Sequence, residues 1–421
     1  MTQSIRDRVR AIVRDHPVVD MHTHLFAPVF DRIADDGRFL LSGIDELLNY
    51  HYLSAELFRA HPDLSPDAYF AMAPRDRADL VWRALFVDRV PVSESCRGIL
   101  SILMALGLDP NETTLGGYRS WFAARDADAH VDRVMALAGV ERITMTNELF
   151  DRREVDLWLG HASELRSDPR FDSVARIDPL LIDPRTAADH LSSLGHDVSD
   201  MADVRRFLVD WIERTGAVYV AASLPPTWRY RGGPSERVFK EALFPALRDT
   251  GLPLALMIGV TRGVNPELQM AGDGSGIADV KNLWGLAQDA HATKLLVTML
   301  SDQNQHELCV AARKFPNIVP FGCWWFLNTP TSIAQITRLR LELLGSTFVP
   351  QHSDARVLEQ LIYKWSHSRD IIAGVLSEHF GSIEESGRPL TDAEITNEVD
   401  LMLRRNYERA IVPKEQSISR S

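Results

Sequence analysis

Two histidines separated by one residue, His22 and His24, are the first residues of this chain whose type and spacing suggest chemistry. They lie at the end of a strand-like stretch. Because side chains alternate between the two faces of a β-strand, both imidazoles would point to the same side and form half of a metal site. The pair also fits polar residues where a strand emerges into a loop. A carboxylate far downstream, Asp354, could complete the set, although alone it could equally cap a helix or pair with Arg356.

Two imidazoles and one carboxylate suit a divalent transition metal and leave coordination positions open for water or substrate. Open positions are typical of a catalytic metal rather than a structural one. We therefore predict one bound divalent metal ion. Zinc is the first choice, although manganese, iron and cobalt accept the same nitrogen and oxygen ligands.

Recurring β-rich stretches separated by helical segments predict how these residues are positioned. The strand candidates cover residues 18–24, 142–147, 173–178, 217–223, 254–259, 294–300, 317–325 and 347–354. Segments with helical periodicity lie between them, for example 203–214, 235–248 and 305–314. This alternation predicts an α/β fold, a (β/α)8 or TIM barrel. The first and eighth strands of a closed barrel are neighbours, so His22 and His24 should meet Asp354 at one rim.

The interval between the first two strand candidates is much longer than the others and is rich in helix formers. We interpret residues from Ile44 to about Asp132 as a helical insertion, about 44–132, in a single barrel domain that spans residues 1–421. Two separate domains are the alternative for a chain of this length. Because the insertion begins soon after the first strand, parts of it could cover the active site. The tail from Glu415 to Ser421 is predicted to be disordered.

The composition of the chain limits the kinds of binding partner that we expect. The chain has 46 basic and 58 acidic residues, a formal net charge of -12. No block of lysines and arginines is long enough to follow a phosphate backbone, so nucleic acid is not an expected partner. No apolar run approaches the length of a membrane span, and we expect neither a signal peptide nor membrane attachment. Three cysteines without Cys-x-x-Cys spacing fit a cytoplasmic protein. The insertion could provide a surface for a homo-oligomer.

Several stretches carry a resemblance to a known family: His22-Thr23-His24, residues 44–53, residues 321–326 and residues 351–356. Together they resemble the uronate isomerases, also called glucuronate isomerases, of the amidohydrolase superfamily. The similarity covers nearly the whole chain. It implies an amidohydrolase-type barrel and an aldose–ketose isomerase, which interconverts D-glucuronate with D-fructuronate and D-galacturonate with D-tagaturonate.

The same resemblance implies roles for individual residues. Metal ligands would be His22, His24 and Asp354; Tyr52 would take part in proton transfer, and His51 would contact the substrate. These groups suit the reaction, because moving a carbonyl from C1 to C2 requires a base near C2 and stabilisation of a developing oxyanion. Asp354 is counted with Tyr52 as a catalytic candidate. The alternative for Tyr52 and His51 is an amphipathic helix face that packs on the barrel.

A uronate carboxylate requires a cation, and the planar guanidinium group grips carboxylates through two parallel hydrogen bonds. Arg176, in an otherwise apolar strand candidate, and Arg356, two residues past Asp354, match substrate-site arginines of the family. Either could bind the carboxylate. Their alternatives are a buried pair of Arg176 with Asp178 and a pair of Arg356 with Asp354.

Trp324 and Trp325 end the seventh strand candidate. Adjacent residues on a strand face opposite ways, so at most one should face the pocket, and we favour Trp324 as the substrate contact. Two further histidines need not belong to the active site. His306 follows the sixth strand on a helical segment and is expected to lie at the surface or behind the site, and the role of His352 is open.

Hydrolytic members of the superfamily usually carry a lysine on the fourth strand and histidines after the fifth and sixth. The candidate strands here supply none of these, which favours a single metal ion over two. The alternative function is a mononuclear metal-dependent amidohydrolase that cleaves an ester, lactone or amide, with Asp354 activating water. A third interpretation is a barrel that binds a sugar acid without turnover.

Overall fold

The structure is a computed structural model, which describes residues 4–35, 38–291 and 293–411. The predicted disorder of residues 415–421 lies outside this part. The strands are β1 (Val18–Asp20), β2 (Val140–Thr144), β3 (Asn147–Glu148), β4 (Phe171–Arg176), β5 (Ala217–Leu224), β6 (Leu254–Ile258), β7 (Val260–Thr261), β8 (Gly274–Ser275), β9 (Leu295–Met299) and β10 (Ile318–Pro320).

The main sheet is parallel, with neighbouring strands in the order β1, β2, β4, β5, β6, β9 and β10, and β3 also pairs with β4. This sheet confirms the first seven strand candidates and the α/β class. Strands β7 and β8 form a separate antiparallel hairpin. The hairpin follows β6, so it lies in a loop at the carboxyl end of the barrel strands, where barrel enzymes carry their sites.

Residues of the eighth strand candidate close the ring, although they do not form a regular strand. Val349 donates a backbone hydrogen bond to Pro320 on the seventh strand at 3.0 Å. On the other side, Asp354 donates to the carbonyl of His22 at 3.1 Å, and His24 donates to the carbonyl of Ala355 at 2.8 Å. The last segment therefore joins the seventh strand to the first, as the predicted (β/α)8 barrel requires.

Side chains on the barrel strands alternate between two apolar cores. Tyr219 and Ala221 of β5 point into the barrel, while Val220 and Ala222 point outward. The interior also contains Val19, Val174, Ala255, Met257 and Leu296. Strands that are apolar on both faces are typical of a parallel sheet covered by helices.

Helices cover the outside of the barrel and fill the predicted insertion. They are α1 (Ile5–Asp15), α2 (Pro28–Ile33), α3 (Ile44–Leu48), α4 (His51–Ala60), α5 (Pro66–Ala71), α6 (Pro74–Trp82), α7 (Glu94–Ala105), α8 (Gly116–Ala123), α9 (Ala127–Ala138), α10 (Arg152–Leu165), α11 (Asp178–Ile182), α12 (Ala188–Ser193), α13 (Met201–Thr215), α14 (Glu236–Val238), α15 (Phe244–Thr250), α16 (Lys281–Ala290), α17 (Gln305–Lys314), α18 (Pro330–Leu344), α19 (Gln360–Glu385), α20 (Asp392–Asp400) and α21 (Asn406–Ile411).

Helices α3 to α9 lie between β1 and β2, and the last of them leads into β2 through Gly139, which has a φ of +65°. That backbone conformation costs glycine little, so the helix can end and the chain can turn into the strand. The long helix α19 packs against α1, α7, α9 and α18, and so connects the insertion to the barrel. No helix within residues 4–35, 38–291 and 293–411 combines the length and apolar character that crossing a membrane requires.

Candidate active site and metal centre

The barrel brings His22, His24 and Asp354 together at the carboxyl end of the strands. The Oδ1 atom of Asp354 lies 3.6 Å from Nε2 of His22 and 3.3 Å from Nε2 of His24. Among the described residues, these three form the group of histidine, cysteine and acidic side chains whose ligand atoms all lie within 4.8 Å of one another. The end of the first strand and the end of the eighth segment therefore converge in the structure, as predicted.

The hydrogen bonds around His22 fix which ring nitrogen is free. Its Nδ1 lies 3.3 Å from the hydroxyls of both Tyr219 and Thr146. Those hydroxyls donate their own protons elsewhere, Tyr219 to the carbonyl of Met21 and Thr146 to the carbonyl of Thr23. Both can therefore only accept from His22, so Nδ1 carries the proton and Nε2 presents its lone pair toward Asp354.

Burial keeps the two imidazoles neutral. Loss of solvent lowers the pKa of His22 to about 3 and that of His24 to about 4, against the partial opposing effect of Asp354. Nε2 of His24 also lies 3.4 Å from the Arg356 guanidinium, which can only donate to it. Burial opposes ionisation of Asp354, but the close approach of His24 and the other surrounding histidines holds the pKa of that carboxyl well below its usual range.

These atoms fit a metal ion. Nε2 of His22 and Oδ1 of Asp354 are buried and have no hydrogen-bond partner within the described residues. Zinc–ligand distances of about 2.1 Å in a tetrahedral site place ligand atoms about 3.4 Å apart, close to the 3.3 and 3.6 Å that separate Oδ1 from the two imidazoles. Lone pairs that face one another at this distance repel unless a cation lies among them.

Strained backbone accompanies the site. Asp354 and Trp325 both have a φ of +51°, which side chains other than glycine rarely adopt. A regular strand at Asp354 would give its carboxylate a different direction. The left-handed conformation is therefore part of how the chain directs this ligand toward the two histidines, at a cost of about 1–3 kcal/mol per residue.

The two candidate arginines differ in their partners. The guanidinium of Arg176 donates to Asp178 through two nitrogens, at 3.0 and 2.6 Å, and to Glu148 at 2.8 Å. The buried pair with Asp178 that the sequence left open is therefore present. No carboxylate in the described part of the chain lies within 4.0 Å of the Arg356 guanidinium, so the alternative pair of Arg356 with Asp354 is not formed.

His51 lines the same pocket as the metal candidates, whereas Tyr52 lines an adjoining cavity. Both lie in the first turn of α4, directly above the barrel rim. The Tyr52 ring stacks on Trp325, which belongs to the pocket, with ring centres 6.4 Å apart. Its hydroxyl is buried and has no hydrogen-bond partner among the described residues.

The prediction that at most one of Trp324 and Trp325 faces the pocket was wrong, because both line it. The premise of alternation fails because β10 ends at Pro320, and Trp325 begins a short 3-10 turn, Trp325–Leu327, rather than continuing the strand. Its ring lies 5.1 Å from that of Phe326 and nearly parallel to it, with an interplanar angle of 7°.

The two further histidines have different positions. His306 is exposed on α17, in line with the expectation. His352 is fully buried 5.5 Å from the His22 ring, and neither of its ring nitrogens has a hydrogen-bond partner within the described residues. It packs against Gly322, where a Cβ atom would come within 1.8 Å of its Nδ1. His352 therefore supports His22 from behind and does not join the ligand group.

Comparison of the sequence with protein-family models and with curated proteins gave no match. Comparison with solved structures did. The chain is similar to a uronate isomerase from Bacillus halodurans C-125, with 44% identity over 100% of both chains and a TM-score of 0.92.

The chain belongs to the uronate isomerase family. It is thereby an enzyme of the aldose–ketose isomerase class. Two more distant uronate isomerase structures share the fold. The one from Thermotoga maritima is 15% identical, covers 98% of each chain and has a TM-score of 0.76. The glucuronate isomerase from Caulobacter crescentus is 16% identical, covers 97% of this chain and 93% of its own, and also has a TM-score of 0.76.

Several pocket residues of this uronate isomerase family member were missed by sequence reasoning. They are Ser223, Met257, Val260, Arg262, Met270 and Trp325. Most lie at the ends of the fourth and fifth barrel strands, β5 and β6, or in the segment from β7 to β8. Their position at the carboxyl ends of strands could have identified them, since the loops of a barrel site come from there. They form no motif of their own.

Proposed function

We propose that this protein is a metal-dependent uronate isomerase that interconverts D-glucuronate with D-fructuronate and D-galacturonate with D-tagaturonate. The observation that carries the proposal is the cluster of His22, His24 and Asp354 beside the unpaired guanidinium of Arg356, in a chain of this family. A metal site and a free cation in one pocket suit a substrate that carries both a carboxylate and a sugar carbonyl.

The metal is proposed to be one zinc ion, held by His22, His24 and Asp354. When bound, it supplies positive charge that stabilises the negative charge developing on substrate oxygens. His22 Nδ1–H is anchored by Tyr219 and Thr146, so this imidazole is oriented before any ligand arrives.

The substrate carboxylate is proposed to bind Arg356. Within the described residues no carboxylate competes for that guanidinium at 4.0 Å or less, whereas Arg176 already donates to Asp178 and Glu148. Arg176 keeps spare N–H groups and lines the same pocket, so it is proposed as a secondary contact. His51 and Trp324 are proposed to complete the substrate site, the indole by covering sugar C–H surface.

Proton transfer is assigned to Asp354 and Tyr52. Asp354 is ionised and can take the hydroxyl proton from O2 and return it to O1 as the carbonyl moves. Tyr52 is proposed to move the carbon-bound proton from C2 to C1. The C2–H bond breaks, its electron pair enters the enediol, and the proton is returned to C1, so the reaction is balanced without an added reactant.

The test is incubation of the zinc-loaded protein with each uronate, followed by identification of the products. We expect the corresponding ketose, no product after treatment with a chelator, and recovery when zinc is added back. Hydrolysis of a sugar-acid lactone without ketose formation would replace the isomerase with the mononuclear hydrolase. Binding of a uronate without any turnover would leave only a sugar-acid binding barrel.

A further inference from the structure

A second cavity, similar in size to the metal-site pocket, is lined by Tyr52 and by none of the metal candidates. Ionisable and polar side chains from three helices line it: Tyr52 from α4, Glu94 from α7, and Tyr363 and Lys364 from α19. Apolar residues of the insertion complete the wall. The cavity has room for water.

The polar groups around this cavity are only partly satisfied by direct partners: Glu94 interacts with the hydroxyl of Tyr363, which also lines the cavity. The Tyr52 hydroxyl has no direct hydrogen-bond partner within the described residues. Lys364 is only 6% exposed, yet in the part of the chain that the structure describes neither it nor Glu94 has an opposite charge within 4.0 Å. Buried polar groups that face one cavity without direct hydrogen bonds are usually joined by ordered water.

Tyr52 needs such a connection for the role proposed above. Burial, with smaller contributions from Tyr50, Asp354 and Glu94, raises the pKa of the Tyr52 hydroxyl well above its usual range. Tyr52 therefore holds its proton at neutral pH. A protonated phenol can accept a proton from C2 only if it gives up its own at the same time.

We propose that this cavity is a water-filled proton relay that connects the Tyr52 hydroxyl to Glu94 and Lys364. As the C2–H bond breaks and its proton reaches the phenolic oxygen, the hydroxyl proton of Tyr52 passes through cavity water to the Glu94 carboxylate. In the second half of the reaction Glu94 returns a proton by the same route and Tyr52 protonates C1. Lys364 holds the water and the charge of Glu94 in place. Glu94 is partly exposed, so the relay exchanges protons with solvent.

This inference rests on the proposed isomerase function, and isotope transfer tests it separately. Isomerisation in D2O is followed for wild type, Glu94→Gln and Lys364→Met, measuring both kcat and the deuterium bound to carbon in each ketose. Glu164→Gln and Lys281→Met are matched controls, because both residues lie on exposed helix surfaces far from the cavity lining. We expect Glu94→Gln to lower the deuterium incorporated per turnover by at least about threefold, with KM unchanged, and both controls to behave as wild type.

Substitution at the cavity wall gives a variant that leaves every charge in place. Ile99→Phe fills the space that water would occupy and should reduce deuterium incorporation in the same direction. A crystal structure should contain ordered water between the Tyr52 hydroxyl and the Glu94 carboxylate. A dry cavity, or wild-type deuterium incorporation in Glu94→Gln and Ile99→Phe, would overturn the relay while leaving the isomerase intact. Absence of any ketose from wild-type protein would instead overturn the proposed function, and the relay with it.

Discussion

The two arginines proposed to contact the substrate, Arg176 and Arg356, differ in their surroundings, and their substitutions should have different effects. Arg356→Met removes a cation that has no carboxylate of the described residues within 4.0 Å, so KM for D-glucuronate should rise about 10- to 100-fold with little change in stability. Arg176→Met leaves the carboxylates of Asp178 and Glu148 without their partner and should lower the free energy of unfolding by about 3 kcal/mol. Steady-state kinetics and urea unfolding of both variants measure these effects. Equal losses of stability would contradict the distinction.

The metal ligands should be separable from the other histidines by metal content. Replacing His22 or His24 with alanine, or Asp354 with asparagine, should lower zinc affinity by at least about 100-fold, because each removes a direct ligand. His306→Ala is the control, since that imidazole is exposed on α17. Elemental analysis after dialysis against a weak chelator measures the retained zinc. Full retention by Asp354→Asn would show that the carboxylate is not a ligand.

The sequence indicated the ligand residues because their spacing follows from alternation in a strand and from closure of a barrel. His22 and Asp354 could therefore be placed together although they are far apart in the chain. The hydrogen bonds that set the tautomer of His22 could not be predicted in this way. They are accepted by Tyr219, on β5, and by Thr146, between β2 and β3, and the directions of these hydroxyls depend on the packed barrel interior.

Among the helices, α10 has a buried carboxyl group, Glu154, in its first turn. Protonation of this group should change the stability of the protein. Glu154 accepts hydrogen bonds from the backbone of Glu148 at 3.0 Å and from the side chain of Asn147 at 3.2 Å. Burial raises the pKa of Glu154 to about 8. Because the folded pKa exceeds the unfolded value of about 4.3, its contribution is complete below pH 4 and is lost as the pH rises toward 8.

Relative to Glu154→Gln, wild-type protein should therefore lose about 1.4 kcal/mol of stability for each pH unit between pH 5 and 8. Urea unfolding of both proteins across this range measures the difference. Glu164→Gln, an exposed substitution on the same helix, should follow the wild-type curve. A difference between wild type and Glu154→Gln that stays constant with pH would show that Glu154 is ionised throughout.

The early end of β10 explains why the prediction about Trp324 and Trp325 was wrong. The run from residue 317 to 325 has the composition of a strand, and β10 does begin at Ile318. The strand ends early because Gly322 turns with a φ of +63° to let His352 pack against it, and Trp325 turns again. Such turns depend on contacts with a segment 30 residues away, which local patterns do not contain.

For the whole molecule, burial of neutral histidines should make the metal-free protein sensitive to acid. The pKa values of His22, His51 and His352 are lowered by burial to about 3, and that of His24 to about 4. Because these folded values lie below the unfolded value near 6.5, the unfolded state binds protons first as the pH falls. Stability should fall between pH 6.5 and 4, by up to about 1.4 kcal/mol per pH unit for each histidine.

Urea unfolding of chelator-treated protein at pH 7 and pH 5 measures this effect. Buried carboxyls oppose it in part, since burial raises the pKa of Asp20 to about 6 and that of Glu154 to about 8 and also raises those of Glu46, Glu94 and Asp172. Added zinc should stabilise the protein at pH 7, because it binds only the folded ligand group. Equal stability at pH 5 and pH 7 without metal would contradict the neutral state of these imidazoles.

For the molecule as a whole, the sequence predicted the barrel and its closure well, because the repeated alternation of strands and helices is compatible with few other architectures. It could not predict the shape of the closing segment, which joins the ring through isolated backbone hydrogen bonds rather than a regular strand. A single domain, a cytoplasmic location, a sugar acid as the small-molecule partner, no contact with nucleic acid or membrane, and a homo-oligomer remain predictions.

The most direct test of the account is the fate of the C2 proton of D-glucuronate in D2O, followed by proton NMR with zinc-loaded protein. We predict that the C2 signal declines as D-fructuronate appears, that Tyr52→Phe retains its zinc but loses this exchange, and that Asp354→Asn loses both zinc and turnover. A C2 signal that persists unchanged with fully zinc-loaded wild-type protein would contradict the assignment of this site to uronate isomerisation.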